Sequence, residues 1–247
     1  MMIYLSGDIH GSYEIQKVID FFEIETLQTK LSEEDYLIIL GDAGIFWDGG
    51  VRDRYVREQL EALPVTVLWI DGNHENFDLI EKTPTAYWNG GRVQFTGKKI
   101  IHLMRGNVYE IGRKTFFVMG GGFSIDKMYR VKNVSWWQEE MPSEEEYQRG
   151  MNSLKVYGNN VDYILTHTAP RSIAEKLVDN ILPGEERLQN YLDNIADITT
   201  FRKWYFGHWH MDVVYGQFIG LYHEIVKLDE DVFDGGLFIS GQLQNHR

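Results

Sequence analysis

Asp8, His10, Asp42, Asn73, His74, His167, His208 and His210 each stand just past a short apolar run rich in β-forming residues. Ile3-Tyr4-Leu5 leads into Gly7-Asp8-Ile9-His10-Gly11, and the run from Tyr36 to Leu40 leads into Gly41-Asp42. Val65 to Ile70 leads into Gly72-Asn73-His74-Glu75, Tyr163-Ile164-Leu165 into Thr166-His167-Thr168, and Trp204-Tyr205-Phe206 into Gly207-His208-Trp209-His210. Carboxylate, carboxamide and imidazole donors suit divalent manganese, iron, zinc or magnesium, and with no cysteine in the chain no thiolate competes. Singly these are ordinary turn residues. Together they place five of the eight histidines immediately after a strand, which leaves His102, His223 and His246 as core or surface histidines. The set is a candidate two-metal site.

Parallel strands of an α/β sheet open their carboxyl ends on one edge, so five strand ends can assemble donors that are remote in sequence. Between the runs the period changes to that of helices. Ile15, Val18, Ile19 and Phe22 recur at helical spacing behind Ser12, which is placed to cap them. A charged helix is predicted from about Val51 to Ala62, ended by Leu63-Pro64. Ser143 and Glu146 form a capping box for a helix reaching about Tyr157. A short helix should follow Pro170, and another should run from about Glu185 to Ile198. Residues 100–119 read as three short antiparallel strands with a tight turn at Gly112-Arg113, and about 213–241 as strands that finish a second sheet, with a turn at Asp234-Gly235-Gly236. Gly120 to Glu140 is a long irregular stretch, of the length usually kept for function or motion.

A chain of 247 residues with 43% hydrophobic and 25% charged residues is globular and large enough for one extensive core. No domain boundary is visible, so the expectation is a single domain over residues 1–247. A net charge of −13 argues against a broad phosphate-tracking surface for nucleic acid or membrane. With no basic leader and no long apolar stretch, the default location is the cytoplasm.

The order Asp-x-His, Gly-Asp, Gly-Asn-His-Glu, a lone histidine after a strand, then Gly-His-x-His resembles the calcineurin-like metallophosphoesterase superfamily across residues 7–210. The resemblance implies an α/β fold of two packed mixed β-sheets flanked by helices, an α-β-β-α sandwich. It implies two divalent ions, manganese foremost. One would be held by Asp8, His10 and His210, the other by Asn73, His167 and His208, with Asp42 bridging them. A hydroxide bridging the metals would attack phosphorus while His74 assists the leaving oxygen. Glu75 reads as orienting a neighbouring backbone group or imidazole.

The opening motif and Gly-Asn-His-Glu are similar to the serine/threonine phosphoprotein phosphatases, whose branch also has an Asp-Arg pair after its bridging aspartate and an arginine before Gly-Asn-His-Glu. Here those places hold Ile45-Phe46 and Asp71, and Gly-His-Trp-His is closer to phosphodiesterase-like branches. The leading expectation is therefore a phosphomonoesterase or phosphodiesterase acting on a small ester. A phosphoprotein phosphatase is the alternative, and a non-catalytic interaction module a more remote one. With the clamping arginines absent, the 120–140 loop is expected to line the substrate cleft. Arg130 would bind substrate, and Trp136-Trp137 would offer flat surfaces to a base.

Overall fold

The computed structural model describes residues 1–179, 181 and 183–229. The first three apolar runs form β1 (Ile3–Ser6), β2 (Tyr36–Leu40) and β3 (Thr66–Ile70), separated by α1 (Ile15–Gln28) and α2 (Val51–Ala62). They pair in parallel, β1 with β2 and β2 with β3. Strands covered on both faces read as near-continuous apolar runs, and Leu37 to Leu40 and Val67 to Ile70 are fully buried. After β3 come α3 (Phe77–Lys82), the hairpin of β4 (Thr85–Trp88) and β5 (Gly91–Phe95), and β6 (Ile100–Leu103). The chain continues through β7 (Asn107–Ile111), β8 (Lys114–Met119), α4 (Glu144–Val156), β9 (Tyr163–Thr166), α5 (Arg171–Leu177) and α6 (Glu186–Ile198). It then forms β10 (Lys203–Phe206), β11 (Val213–Tyr215), β12 (Phe218–Gly220) and β13 (Ile225–Lys227).

Two mixed sheets result, ordered β13-β1-β2-β3-β6-β5-β4 and β11-β12-β10-β9-β8-β7. They pack face to face through Leu5, Ile38, Leu68 and Ile101 of the first sheet and Phe116, Val118, Tyr163, Leu165 and Tyr205 of the second. The outer face of the first sheet is covered by α1 and α2 through Val18, Phe22, Val56 and Leu60. The outer face of the second is covered by α4, α5 and α6 through Leu154, Ile173, Leu188, Leu192 and Ile195. This is the expected α-β-β-α sandwich. Among the described residues no helix is long and apolar enough to cross a membrane.

Several local expectations change. Ser12 caps nothing, because Gly11–Tyr13 is a 3-10 turn and α1 starts only at Ile15, behind Glu14. Strand β6 pairs antiparallel with β5 but parallel with β3, and β8 is antiparallel to β7 but parallel to β9. Apolar periodicity does not carry strand direction, so reading all three as antiparallel was half right. Strand β13 joins the first sheet, against β1, rather than the second. The Asp234-Gly235-Gly236 turn lies outside the described residues. The Ser143 capping box forms, with Glu146 N–H donating to Ser143 Oγ at 3.3 Å and Ser143 N–H to Glu146 Oε2 at 2.8 Å. At Gly112-Arg113 both φ angles are positive, 60° and 65°, the two-residue hairpin geometry that matches strand twist.

One buried ion pair roots the irregular 120–140 stretch in this frame. Arg105 Nε donates to Asp71 Oδ2 at 2.5 Å, its Nη2 reaches the same oxygen, and His102 Nε2 lies 3.0 Å from Oδ1. Burial disfavours the charge of Asp71, yet Arg105 and His102 outweigh this and hold its carboxyl at about 2. The backbone carbonyl of Asp71 accepts from Gly121 N–H at 2.9 Å, while Arg105 Nη2 donates to Glu140 O at 3.3 Å. Both ends of the loop are thereby tied to one pair. Arg105→Ala should cost about 3–5 kcal/mol, because it leaves a buried carboxylate unpaired. Urea denaturation measures this, and an unchanged midpoint would contradict the role given to the pair.

Candidate metal centre

Every residue of the sequence-defined set lies past the carboxyl end of a parallel strand: Asp8 and His10 after β1, Asp42 after β2, Asn73 and His74 after β3, His167 after β9, His208 and His210 after β10. The first sheet supplies five of them and the second three, so the site spans the seam between the sheets. Two groups of ligand atoms lie within 4.8 Å of one another, Asp8 with His10 and His210, and Asp8 with Asp42 and His167. Asp8 Oδ2 is 3.2 Å from His210 Nε2 and 3.7 Å from His10 Nε2. Asp8 belongs to both groups, and Asp42 lies with Oδ1 3.5 Å from His167 Nε2 and Oδ2 3.9 Å from His10 Nδ1. His208 stands at the margin: its ring is 4.9 Å from that of His167, and its Nε2 is 3.4 Å from Glu185 Oε1.

Hydrogen bonds orient these donors. His167 Nδ1–H donates to Leu40 O at 2.8 Å, which leaves Nε2 as a lone pair. That lone pair faces Asn73 Oδ1 at 2.9 Å, and the amide nitrogen of Asn73 is turned away to donate to Ser124 Oγ at 3.0 Å. His10 Nε2 and His210 Nε2 meet at 2.9 Å. A His167 Nε2 lone pair facing Asn73 Oδ1 is tolerated only around a cation or an added proton, and the donor set fits divalent ions. Burial opposes the charges of Asp8 and Asp42, but the surrounding histidines, His167 foremost, hold both carboxyls below the usual range.

Backbone strain and close packing build the cluster. His10, Asp42, His208 and His210 all have left-handed φ values, 42°, 47°, 65° and 50°. Left-handed backbone is costly for residues with a Cβ, and it concentrates at functional sites. The glycine before one candidate donor makes room for a donor of another motif: a Cβ on Gly72 would lie 2.0 Å from Asp42 Oδ1, and one on Gly207 2.3 Å from Asp8 Oδ1. Asp42 Oδ1 accepts from His74 N–H at 2.8 Å, and Asp8 Oδ1 from His208 N–H at 2.9 Å. Glu75 is fully buried and Oε1 accepts from Ala43 N–H at 2.9 Å, so it does orient the backbone beside Asp42.

His74 lies beside the cluster, its ring 5.6 Å from that of His10. Arg130 Nη2 donates to His74 Nδ1 at 3.2 Å, and Nη1 donates to Ser124 Oγ at 2.9 Å. The loop therefore delivers Arg130 to the site. The hydrogen bond places the imidazole's own proton on Nε2. Burial first, and Arg130 with it, holds the His74 pKa below the usual range for histidine. The expected role of the tandem tryptophans is not what the fold uses: Trp137 is buried in the core, and Trp136 is flanked by Lys127 and Lys132. The ring at the site is Trp47, stacked on His74 at 5.9 Å and 26° and under the Arg130 guanidinium. His102 is a core residue and His223 an exposed one beside Asp212, while His246 lies outside the described residues.

Sequence reasoning missed three supports. Glu185 accepts from Phe123 N–H, Thr168 Oγ1 and Gln189 Nε2, and no motif marks it. Tyr222 stacks on His210 at 4.4 Å and 5°. Lys17 Nζ donates to the backbone carbonyls of Asp8 and Tyr222.

Comparison with known proteins agrees with this geometry: residues 1–212 match the calcineurin-like phosphoesterase family. The chain belongs to that family. It is accordingly a hydrolase of phosphate-ester bonds, in a family that is typically dependent on a dinuclear metal centre. Among curated protein sequences none matches it. Among solved structures it is similar to phosphopantetheinyl hydrolase (PptH) from Mycobacterium tuberculosis, with 15% identity, a TM-score of 0.50, and coverage of 95% of this chain and 98% of that one. That likeness supports the shared fold.

Gly72→Ala should push Asp42 aside. Elemental analysis of the folded variant should find fewer than two ions per chain, and a full complement would show that the close approach is dispensable.

Proposed function

We propose that the chain hydrolyses small phosphate esters at two divalent ions, one held by Asp8, His10 and His210, the other by Asn73, His167 and His208, with Asp42 between them. The observation that carries this reading is the convergence of carboxylate, carboxamide and imidazole donors from five parallel strand ends, beside a histidine whose own proton sits on Nε2. The family pattern makes Asp42 the bridge, although Asp8 is the carboxylate common to both groups of ligand atoms. Asp8 leans toward His210 and His10, whereas Asp42 lies closer to His167 and still reaches His10. When bound, the ions supply activation of water and neutralisation of phosphate charge. Manganese fits the oxygen and imidazole donors, as do iron, zinc and magnesium.

In this reading His74 donates Nε2–H to the leaving oxygen. Arg130 fixes that tautomer and presents a guanidinium beside the phosphate. Asn73 contributes a neutral oxygen, so the site stays positive toward an anion. Clefts of 410 and 560 Å³ meeting at His74 suit a small ester better than the surface of a phosphoprotein. Donors from both sheets make the site dependent on the two folding as one domain.

Chelation should abolish hydrolysis of bis-p-nitrophenyl phosphate, and Mn²⁺ should restore it. Asp42→Asn should be worse than His208→Ala, because both ions lean on Asp42. Full turnover in a metal-free preparation would sink the reading.

His74→Ala should keep its metal, read by elemental analysis, and lose about 10²–10⁴-fold in kcat, with a smaller loss for p-nitrophenyl esters, whose leaving group needs little protonation. Arg130→Ala should cost about 1.5–3 kcal/mol in kcat/KM at unchanged metal content and nearly unchanged Tm. Loss of an ion in His74→Ala would make His74 a ligand instead.

A further inference from the structure

Two clefts are lined by residues of the candidate metal centre, and both include His74 and Asp126. The first, 410 Å³, is lined by His10 and His74 together with Trp47, Tyr13, Val56 and Arg52. The second, 560 Å³, lies among Phe123, Ile125, Val178 and Trp209, next to His208 and His210. A phosphomonoester carries one substituent on phosphorus and would fill one cleft. A phosphodiester carries two.

The charges of the two clefts differ. In the first, Asp53 is already satisfied by the N–H groups of Trp47, Asp48 and Gly49, and Asp126 is paired with Arg130. Glu14 accepts from Tyr222 Oη and faces Lys17. Arg52 is different. Among the described residues its exposed guanidinium makes no hydrogen bond or ion pair, although it stands on the cleft wall. An unpaired guanidinium is a fork-shaped donor for phosphate or carboxylate. Tyr13, 79% exposed, and the half-buried Trp47, stacked on His74, offer ring faces in the same cleft. The second cleft has an apolar wall; of its carboxylates, Asp126 is paired with Arg130, Asp42 belongs to the metal centre, and Glu185 accepts from Phe123 N–H, Thr168 and Gln189.

We propose that the substrate is an asymmetric phosphodiester: one arm carries a flat ring and a second anionic group, and lies along Trp47 and Tyr13 with the anion at Arg52, while the other, less polar arm lies on Phe123, Ile125 and Val178. The inference rests on the phosphoesterase reading above. Hydrolysis adds water across one P–O bond, and the proton passes to the departing oxygen, giving an alcohol and a phosphomonoester.

The test uses the full-length, Mn²⁺-loaded protein. Calorimetry compares thymidine 5′-phosphate with thymidine 3′,5′-bisphosphate, and kinetics compare p-nitrophenyl phosphate with bis-p-nitrophenyl phosphate. The second phosphate should tighten binding about tenfold, and Arg52→Gln should bring the ratio of the two affinities close to one. Tyr13→Ala, a change at another exposed side chain, should weaken both nucleotides. The diester should be turned over about tenfold faster in kcat/KM than the monoester. Equal affinity for the two nucleotides in the parent, or a bisphosphate advantage that survives in Arg52→Gln, overturns the assignment of the anionic arm. Faster turnover of the monoester overturns the diester. Failure to cleave any ester would instead strike the phosphoesterase reading, and the calorimetric comparison would still decide the ligand of the cleft.

Discussion

Imidazoles and a carboxamide held at contact distance over buried carboxylates are the constraint around which this chain is arranged. His10 Nε2 faces His210 Nε2, and His167 Nε2 faces Asn73 Oδ1, each at 2.9 Å, over two buried carboxylates. Nothing local in the sequence would choose this. Four of the donors sit in left-handed backbone, and the carboxylates are packed against the glycines of other motifs. Such strain persists only where the surroundings over-determine it. Here the surroundings are two sheets whose parallel strands end on one edge, clamped by three layers of apolar packing.

That dependence explains what was legible in the sequence. A strand that ends in a ligand is doubly marked, by an apolar run and by the glycine and polar residues that stop it, so the donors and their strands could be read directly. Pairing direction could not: β6 and β8 each have one parallel and one antiparallel neighbour, and the alternation of their side chains is the same either way. Strand β13 crosses to the first sheet because the edge of β1 is open there, a fact of the assembled sheet rather than of Ile225 to Lys227. Glu185 and Tyr222 reach the site from a helix start and a late loop, carrying residue types that mark nothing by themselves.

Asp71 shows how a departure from a family pattern can be absorbed. The branch with an arginine before Gly-Asn-His-Glu places a cation there, whereas this chain places a carboxylate and buries it against Arg105 and His102. The pair lines neither of the clefts at His74. It fastens Gly121 and Glu140, the two ends of the loop that carries Arg130. The guanidinium beside His74 thus arrives from a different part of the chain, and its position depends on a charge pair buried beneath it.

The charge of the centre reconciles an acidic protein with an anionic substrate. A net charge of −13 is spread over a surface where screening acts within about 8 Å at physiological salt. Inside the site the acidic side chains are few, and they differ in state. Asp8 and Asp42 are held ionised by their histidines, whereas Glu75, next to ligand Asn73, is pushed well above the usual carboxyl range by burial and by Asp42. A neutral Glu75 can still accept from Ala43 N–H without adding a third negative charge. With two divalent ions bound, two carboxylates would leave a positive surplus, and Arg130 and Arg52 would extend it into the cleft where the phosphate and its second anion would lie.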